Sequence, residues 1–151
     1  MGIIRKFTLL LMLFIAVSCG NRQLRETLDD VRNYISERPD SALAVLEGMK
    51  ADVGDSRRDR AEFALLYSMA LDKNYIDLAS DSVIAPAVSW YSRHGSADDR
   101  LKMCYYRARI SDNAQDADSA LEWYAKGERL ADKCTDFSAV GRLYRGISTI
   151  Y

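Results

Sequence analysis

From Asn21 onward the apolar residues return at helical intervals. Leu24, Leu28, Val31 and Ile35 fall at i, i+4, i+7 and i+11, a single stripe of one helix. Pro39-Asp40 breaks it. Ala42, Leu43, Val45, Leu46 and Met49 mark a second helix that ends before Gly54. A third, from about Arg58 to Lys73, carries Phe63, Ala64, Leu66, Tyr67, Ala70 and Leu71. A fourth begins near Ser82, which is placed to cap it. Pro86 falls in its first turn, where a missing N–H does no harm. It closes at Arg93-His94-Gly95, with Gly95 for the left-handed position. The pattern predicts a fifth helix over about Ala97–Asn113, a sixth over Ala117–Lys133 and a seventh from Phe137 to Tyr151. No stretch alternates with period two, so the fold class is all-α, about seven helices.

These helices resemble one another. Asp40-Ser41-Ala42-Leu43 recurs as Asp118-Ser119-Ala120-Leu121. Helices two, four and six share a small residue followed four positions later by a large apolar one: Ala42 with Leu46, Ala87 with Tyr91, Ala120 with Tyr124. The odd helices have a second register, in which Tyr67-x-x-Ala70 matches Tyr105-x-x-Ala108 and then Leu143-x-x-Gly146 at a shift of 38. Two helices per unit at this period resemble the tetratricopeptide repeat, which sets a small residue on its first helix and Ala-x-x-x-Phe on its second. The units are about 22–51, 58–95 and 97–134, with an incomplete unit 137–151, and an insertion falls around Asp77–Ser82. The family's Trp is absent, Cys104 standing in its place in the best unit, and so is the closing Pro. The resemblance implies a tetratricopeptide-like α-solenoid of antiparallel helix pairs, with first helices lining a concave surface for a protein or peptide partner. In that register the groove positions are Tyr67, Leu71, Asn74, Lys102, Tyr105, Arg109 and Asp112. Arg109 is suited to a bidentate grip on a carboxylate. Helix seven has no following partner helix, so Val140, Leu143, Ile147 and Ile150 are expected to stay partly exposed unless the chain continues past Tyr151 or a partner covers them.

The segment before these helices carries an address. Arg5-Lys6 precedes an apolar run of 11 residues, Phe7 to Val17, in which Thr8 alone is polar. A basic start, a short apolar run and a small-residue exit make a secretory signal peptide over residues 1–18. Spanning a bilayer would need about 20 apolar residues. The exit Ala16-Val17-Ser18-Cys19 resembles the lipobox of bacterial lipoproteins, which implies lipidation of Cys19 and a helical repeat domain over 19–151. With Ala64-Leu65-Leu66-Tyr67, Asp72-Lys73-Asn74-Tyr75 and Tyr91-Ser92-Arg93-His94-Gly95, the chain resembles the N-terminal part of tetratricopeptide-repeat lipoproteins of Gram-negative bacteria. Gly20-Asn21-Arg22 holds no acidic run, which suits an outer-membrane anchor facing the periplasm.

Composition narrows the chemistry. Of 151 residues 48% are hydrophobic, enough for one core, and 8 Gly with 2 Pro are too few for a turn-rich β sandwich. Lys and Arg number 21 against 22 Asp and Glu, so bulk positive charge for nucleic acid is absent. His94 is the one histidine, without a nucleophile at plausible spacing, and its place suits a helix end. Cys104, Cys134 and His94 lack paired zinc spacing. An oxidising compartment permits a Cys104–Cys134 disulfide, since the two lie at one end of an antiparallel pair; two buried thiols are the simpler arrangement. Asp29-Asp30 and Asp98-Asp99 read as helix-start acids favouring the dipole, and Arg57, Arg58 and Arg60 as a solvated helix start. Trp90 and Trp123 sit one position off the repeat register and are expected to be partly exposed. Together these point to a non-enzymatic, membrane-anchored interaction module without cofactor. Nutrient or glycan capture is the alternative, for which a Trp-Tyr pair could serve as a sugar platform.

Overall fold

The computed structural model describes residues 22–150. Helix α1 covers 22–34, followed by α2 (Pro39–Met49), α3 (Arg57–Lys73), α4 (Ala85–Tyr91), α5 (Ala97–Asn113), α6 (Ala117–Glu128) and α7 (Phe137–Ile150). A short 3-10 turn, Ala131–Lys133, joins α6 to α7. Among the described residues there is no strand, as the apolar pattern predicts. No described helix is long and apolar enough to cross a membrane. The expected signal peptide over residues 1–18 and the expected lipidation of Cys19 lie outside the described residues.

The odd helices share a backbone frame. Ser56 accepts the backbone N–H of Asp59 at the start of α3, Ser96 that of Asp99 at the start of α5, and Asp136 that of Ala139 at the start of α7. Each side chain satisfies one of the orphan donors of a first turn. The three caps are spaced forty residues apart. The far ends agree: Tyr75 (φ 60°) follows α3 and Gln115 (φ 61°) follows α5, again forty apart. The tyrosine match at 38 is therefore not the backbone period. Tyr67 is the eleventh residue of α3 and Tyr105 the ninth of α5. Two residues rotate a side chain by roughly 200° about a helix, so the two tyrosines face different neighbours.

The even-helix frame holds as the sequence implies. Ala42, Ala87 and Ala120 are fully buried, and Leu46, Tyr91 and Tyr124 are buried four positions on. From α2 to α7 each helix packs on its chain neighbour, and α5 also meets α3 and α7. The predicted stripe of α1, Leu24, Leu28, Val31 and Ile35, is buried, each side chain stabilising by about 1.5–3 kcal/mol. Helix α3 is buried almost all round, from Ala61 to Leu71.

Four details depart from the sequence reading. Helix α4 starts at Ala85 after a turn, with Pro86 second, and Ser82 is exposed beside Ser80 instead of capping. Helix α6 stops at Glu128 because residues 131–133 tighten into a 3-10 turn. Asp29 and Asp30 are exposed in the middle of α1 rather than at its start. Leu143 is fully buried, although Val140, Ile147 and Ile150 are half-buried as expected. Gly95 takes φ +84° as predicted, and a Cβ there would come within 2.7 Å of the Tyr91 ring.

Polar ties gather at the starts of the odd helices. Arg25 of α1 forks onto the buried Asp59 at 2.9 and 3.2 Å. Arg32 reaches Glu62 at 2.8 Å and Asp99 at 2.7 Å, bridging the starts of α3 and α5. Asp98 accepts from the backbone N–H groups of Thr135 and Asp136 and from the Thr135 hydroxyl, holding the start of α7. The Asp136 backbone N–H does most to hold the Asp98 carboxyl below the usual range. Burial alone would raise Asp99, but the Ser96 hydroxyl and the Arg32 guanidinium bring it below the usual range as well. Burial likewise opposes at Asp136, where Lys102, the Ala139 backbone N–H and Arg142 together bring the carboxyl below the usual range.

Two outcomes follow. Depressed carboxyl pKa values add stability that is present above the unfolded value near 4 and lost as pH falls through the folded values. The melting point should therefore hold near pH 5–7 and drop below about pH 4, with Asp99→Asn starting lower and falling less steeply. Gly146 meets the Tyr124 ring so closely that a Cβ would stand 2.6 Å from Cζ, whereas Gly141 on the same helix has open space. Gly146→Ala should cost about 1–3 kcal/mol in denaturant titrations, and Gly141→Ala should gain about 0.5–1 kcal/mol.

Candidate interaction face

The seven groove candidates divide between the core and one strip of surface. Tyr67 is buried, stacked on Phe63 at 5.5 Å with the Lys50 ammonium 5.2 Å from its ring centroid. Leu71 is buried too. Asn74 caps α3 and donates to the Ala70 and Pro39 carbonyls at 2.7 and 2.8 Å, tying α3 to the start of α2. These three are held in packing because α1, α2, α4 and α5 surround α3.

The α5 candidates are half-buried and lie at the surface. Arg109 donates to Asp72 at 3.1 Å and to Asp112 at 3.0 Å, so its fork already grips carboxylates of its own chain. Lys102 pairs with Asp136 at 2.8 Å, joining α5 to α7. The Tyr105 ring lies edge-on to Tyr106 at 4.9 Å and 6.2 Å from Tyr124. Burial raises the Tyr105 phenol, with Asp72 adding to the rise and Arg109, Arg142 and Arg145 opposing it. That set of charges marks what surrounds its hydroxyl.

Three members of this strip were missed by periodic reading, which followed the apolar residues of α7 and not its Arg142 and Arg145, and took Lys73 only as the end of α3. Arg142 donates through Nη1 to Ser138 at 2.9 Å, while its Nε is buried without a partner. Lys73 is lowered by burial first and by Arg142 second, with Asp72 and Asp136 opposing. Arg145 is exposed beside them. The strip therefore carries Lys73, Lys102, Arg109, Arg142 and Arg145 against Asp72, Asp112 and Asp136, a surplus of positive charge on a molecule of formal charge -1.

Other sequence candidates resolve simply. His94 closes α4, its Nδ1 2.9 Å from the Trp90 carbonyl and its ring stacked on Trp90 at 4.0 Å. Trp90 and Trp123 are half-buried, as their register implies. Among the described residues no group of three His, Cys, Asp or Glu is placed to hold a metal ion. Cys104 and Cys134 are free, buried thiols, and Cys134 donates to the Leu130 carbonyl at 3.3 Å. Burial pushes each thiol up to about 11, Asp98 adding to the shift at Cys134. No protein-family model, curated protein or solved structure matches this chain.

At pH 8 a thiol of that pKa is ionised in about one molecule in a thousand. A thiol reagent should leave Cys104 and Cys134 untouched in the folded chain and label both in urea without reductant. Failure to label in urea until reductant is added would reveal a disulfide between them.

Proposed function

We propose that this chain is a lipid-anchored, non-enzymatic interaction module of a bacterial envelope, built as a tetratricopeptide-like α-solenoid. The observation that carries the reading is the recurring unit. Three helix caps stand forty residues apart, and three buried alanines are each followed by a buried large side chain. A unit of this kind buries its apolar face only against its neighbours, and the stack presents an extended face to a partner. On that reading the strip around Tyr105 is the working surface. Its surplus of cations suits a carboxylate-bearing peptide segment of another envelope protein, with Tyr105 giving contact area and the exposed Arg145 a charge.

Glycan capture is less well supported. An open cleft of about 370 Å³ runs past Trp123, but Lys126 stands 4.0 Å over the ring, on the face a sugar would need. The Ala16-Val17-Ser18-Cys19 exit after the apolar run supports the anchor. A diacylated cysteine gains about 0.8 kcal/mol per buried CH₂, ample for lasting attachment.

Mass spectrometry of the native protein should find Cys19 as the first residue, carrying diacylglycerol, and Cys19→Ala should abolish both processing and lipid. An unmodified N-terminus elsewhere would remove the anchor. A photo-crosslinking residue at Arg145, on the strip, should trap one defined envelope protein, and one at Glu128, at the end of α6, should trap none. Equal capture at both positions would remove the strip from function.

A further inference from the structure

A second positive surface lies where the start of α3 meets the end of α4. An open cleft of about 330 Å³ there is lined by Arg57 and Arg60 of α3 and by Ser89, Trp90, Arg93 and His94 around the end of α4. Three of its walls are guanidinium groups and none is a carboxylate. Three of the nearby acids are tied to α1, while Asp29 lines the neighbouring cleft on the other side of Trp90 and His94, beside Arg58. Asp59 is turned inward to Arg25, and Arg32 takes Glu62 and Asp99. Arg60 is paired with the exposed Asp55. Among the described residues Arg57 and Arg93 have no ion-pair partner. Helix α1 thus draws the carboxylates to one side and leaves the arginines of α3 facing out.

Arg60 also bonds the Gly54 carbonyl, but neither Arg57 nor Arg93 makes a side-chain hydrogen bond or ion pair among the described residues. Arg57 and Arg58 occupy the first two positions of α3, where the helix dipole disfavours cations. Local choices that run against the fold are expected where function requires them. The Trp90 ring, fixed by its stack on His94, gives the cleft a rigid apolar wall. Guanidinium forks brought together around a shaped hollow, here from the start of α3 and the turn after α4, are the arrangement that recognises phosphate oxygens.

We propose that this cleft binds a phosphate group, carried either on a soluble molecule or on a lipid headgroup of the membrane. It is distinct from the peptide strip and does not depend on it. Arg57 and Arg93 supply the forks, Arg60 a third charge, and Trp90 packs against the group that bears the phosphate.

The sequence has two tryptophans, so Trp123→Phe leaves Trp90 as the sole reporter. The full chain with that change, purified in a non-ionic detergent, is titrated with inorganic phosphate at constant ionic strength while Trp90 emission is followed. A saturable change is expected, weakened about tenfold by Arg57→Ala or by Arg93→Ala and unaltered by Arg129→Ala on the exposed end of α6. Each variant should melt at or slightly above the parent temperature, since neither arginine bonds within the fold and Arg57→Ala removes a cation from a helix start. If inorganic phosphate gives no change, the chain is reconstituted into vesicles of phosphatidylglycerol or of phosphatidylcholine. A shift in the anionic vesicles alone, lost in the two arginine variants, assigns the phosphate to a headgroup. No response in either arm overturns the proposal, as does a response that chloride reproduces or that survives in Arg57→Ala and Arg93→Ala. The phosphate arm needs no lipid on Cys19, so its outcome is separate from that of the anchor.

Discussion

The helices can lie this close together because small residues stand where their axes meet. Ala42, Ala87 and Ala120 are fully buried at one point of each even helix. At Gly146 the constraint is tightest, since the Tyr124 ring fills the space a Cβ would take. Tyr124 and Tyr106 are among the largest fully buried side chains, and both phenols lie in the interior without a hydrogen-bond partner. An orphaned buried hydroxyl costs about 1–3 kcal/mol. The rings are retained because their area fills the gaps that small neighbours open, at about 25 cal/mol per Å² of apolar surface. Were the small residues larger, the rings would have no room and the helices would separate.

Polar ties then fix which helix ends lie side by side. An apolar stripe tolerates sliding and rotation, but Arg25 on Asp59, Arg32 between Glu62 and Asp99, and Asp98 under Thr135 and Asp136 admit one arrangement each. Asp59 is almost wholly enclosed, so leaving it without Arg25 would strand a charge. These ties sit at the starts of α3, α5 and α7, one end of the row of odd helices. They also sort the surface. Carboxylates needed for the ties are withdrawn from solvent, and the arginines that accompany them in sequence are left outside.

That sorting explains how a chain with nearly balanced charge carries two positive surfaces. One runs over α5 and α7 around Tyr105, and the other lies between α3 and α4 beside Trp90. Their positive character comes from where the acids are spent rather than from composition. The strip is half-buried and rigidly tied, so a partner would meet a preformed surface and lose little side-chain entropy on binding. The cleft is open, and its unpaired arginines are free to turn toward an anion.

Much of the architecture was written in the order of residues. The period of apolar positions located the described helices, Gly95 took the left-handed conformation although α4 itself stops at Tyr91, and Ala-x-x-x-(large) marked the buried points of the even helices, because burial and local backbone geometry act over a few neighbouring positions. The forty-residue frame was not legible from side-chain matches at 38, since caps and left-handed ends, not tyrosines, set the backbone repeat. The strip was half legible. Lys102, Tyr105, Arg109 and Asp112 were found by register, while Tyr67, Leu71 and Asn74 were drawn into packing around α3, Tyr67 beside Lys50 and Asn74 by its bond to Pro39 at the start of α2, contacts that no local pattern reveals. Arg142 and Lys73 went unseen, as did the union of Arg57 with Arg93. Those pairings join residues tens of positions apart, and only the stacking of helices decides which charges are neutralised and which remain.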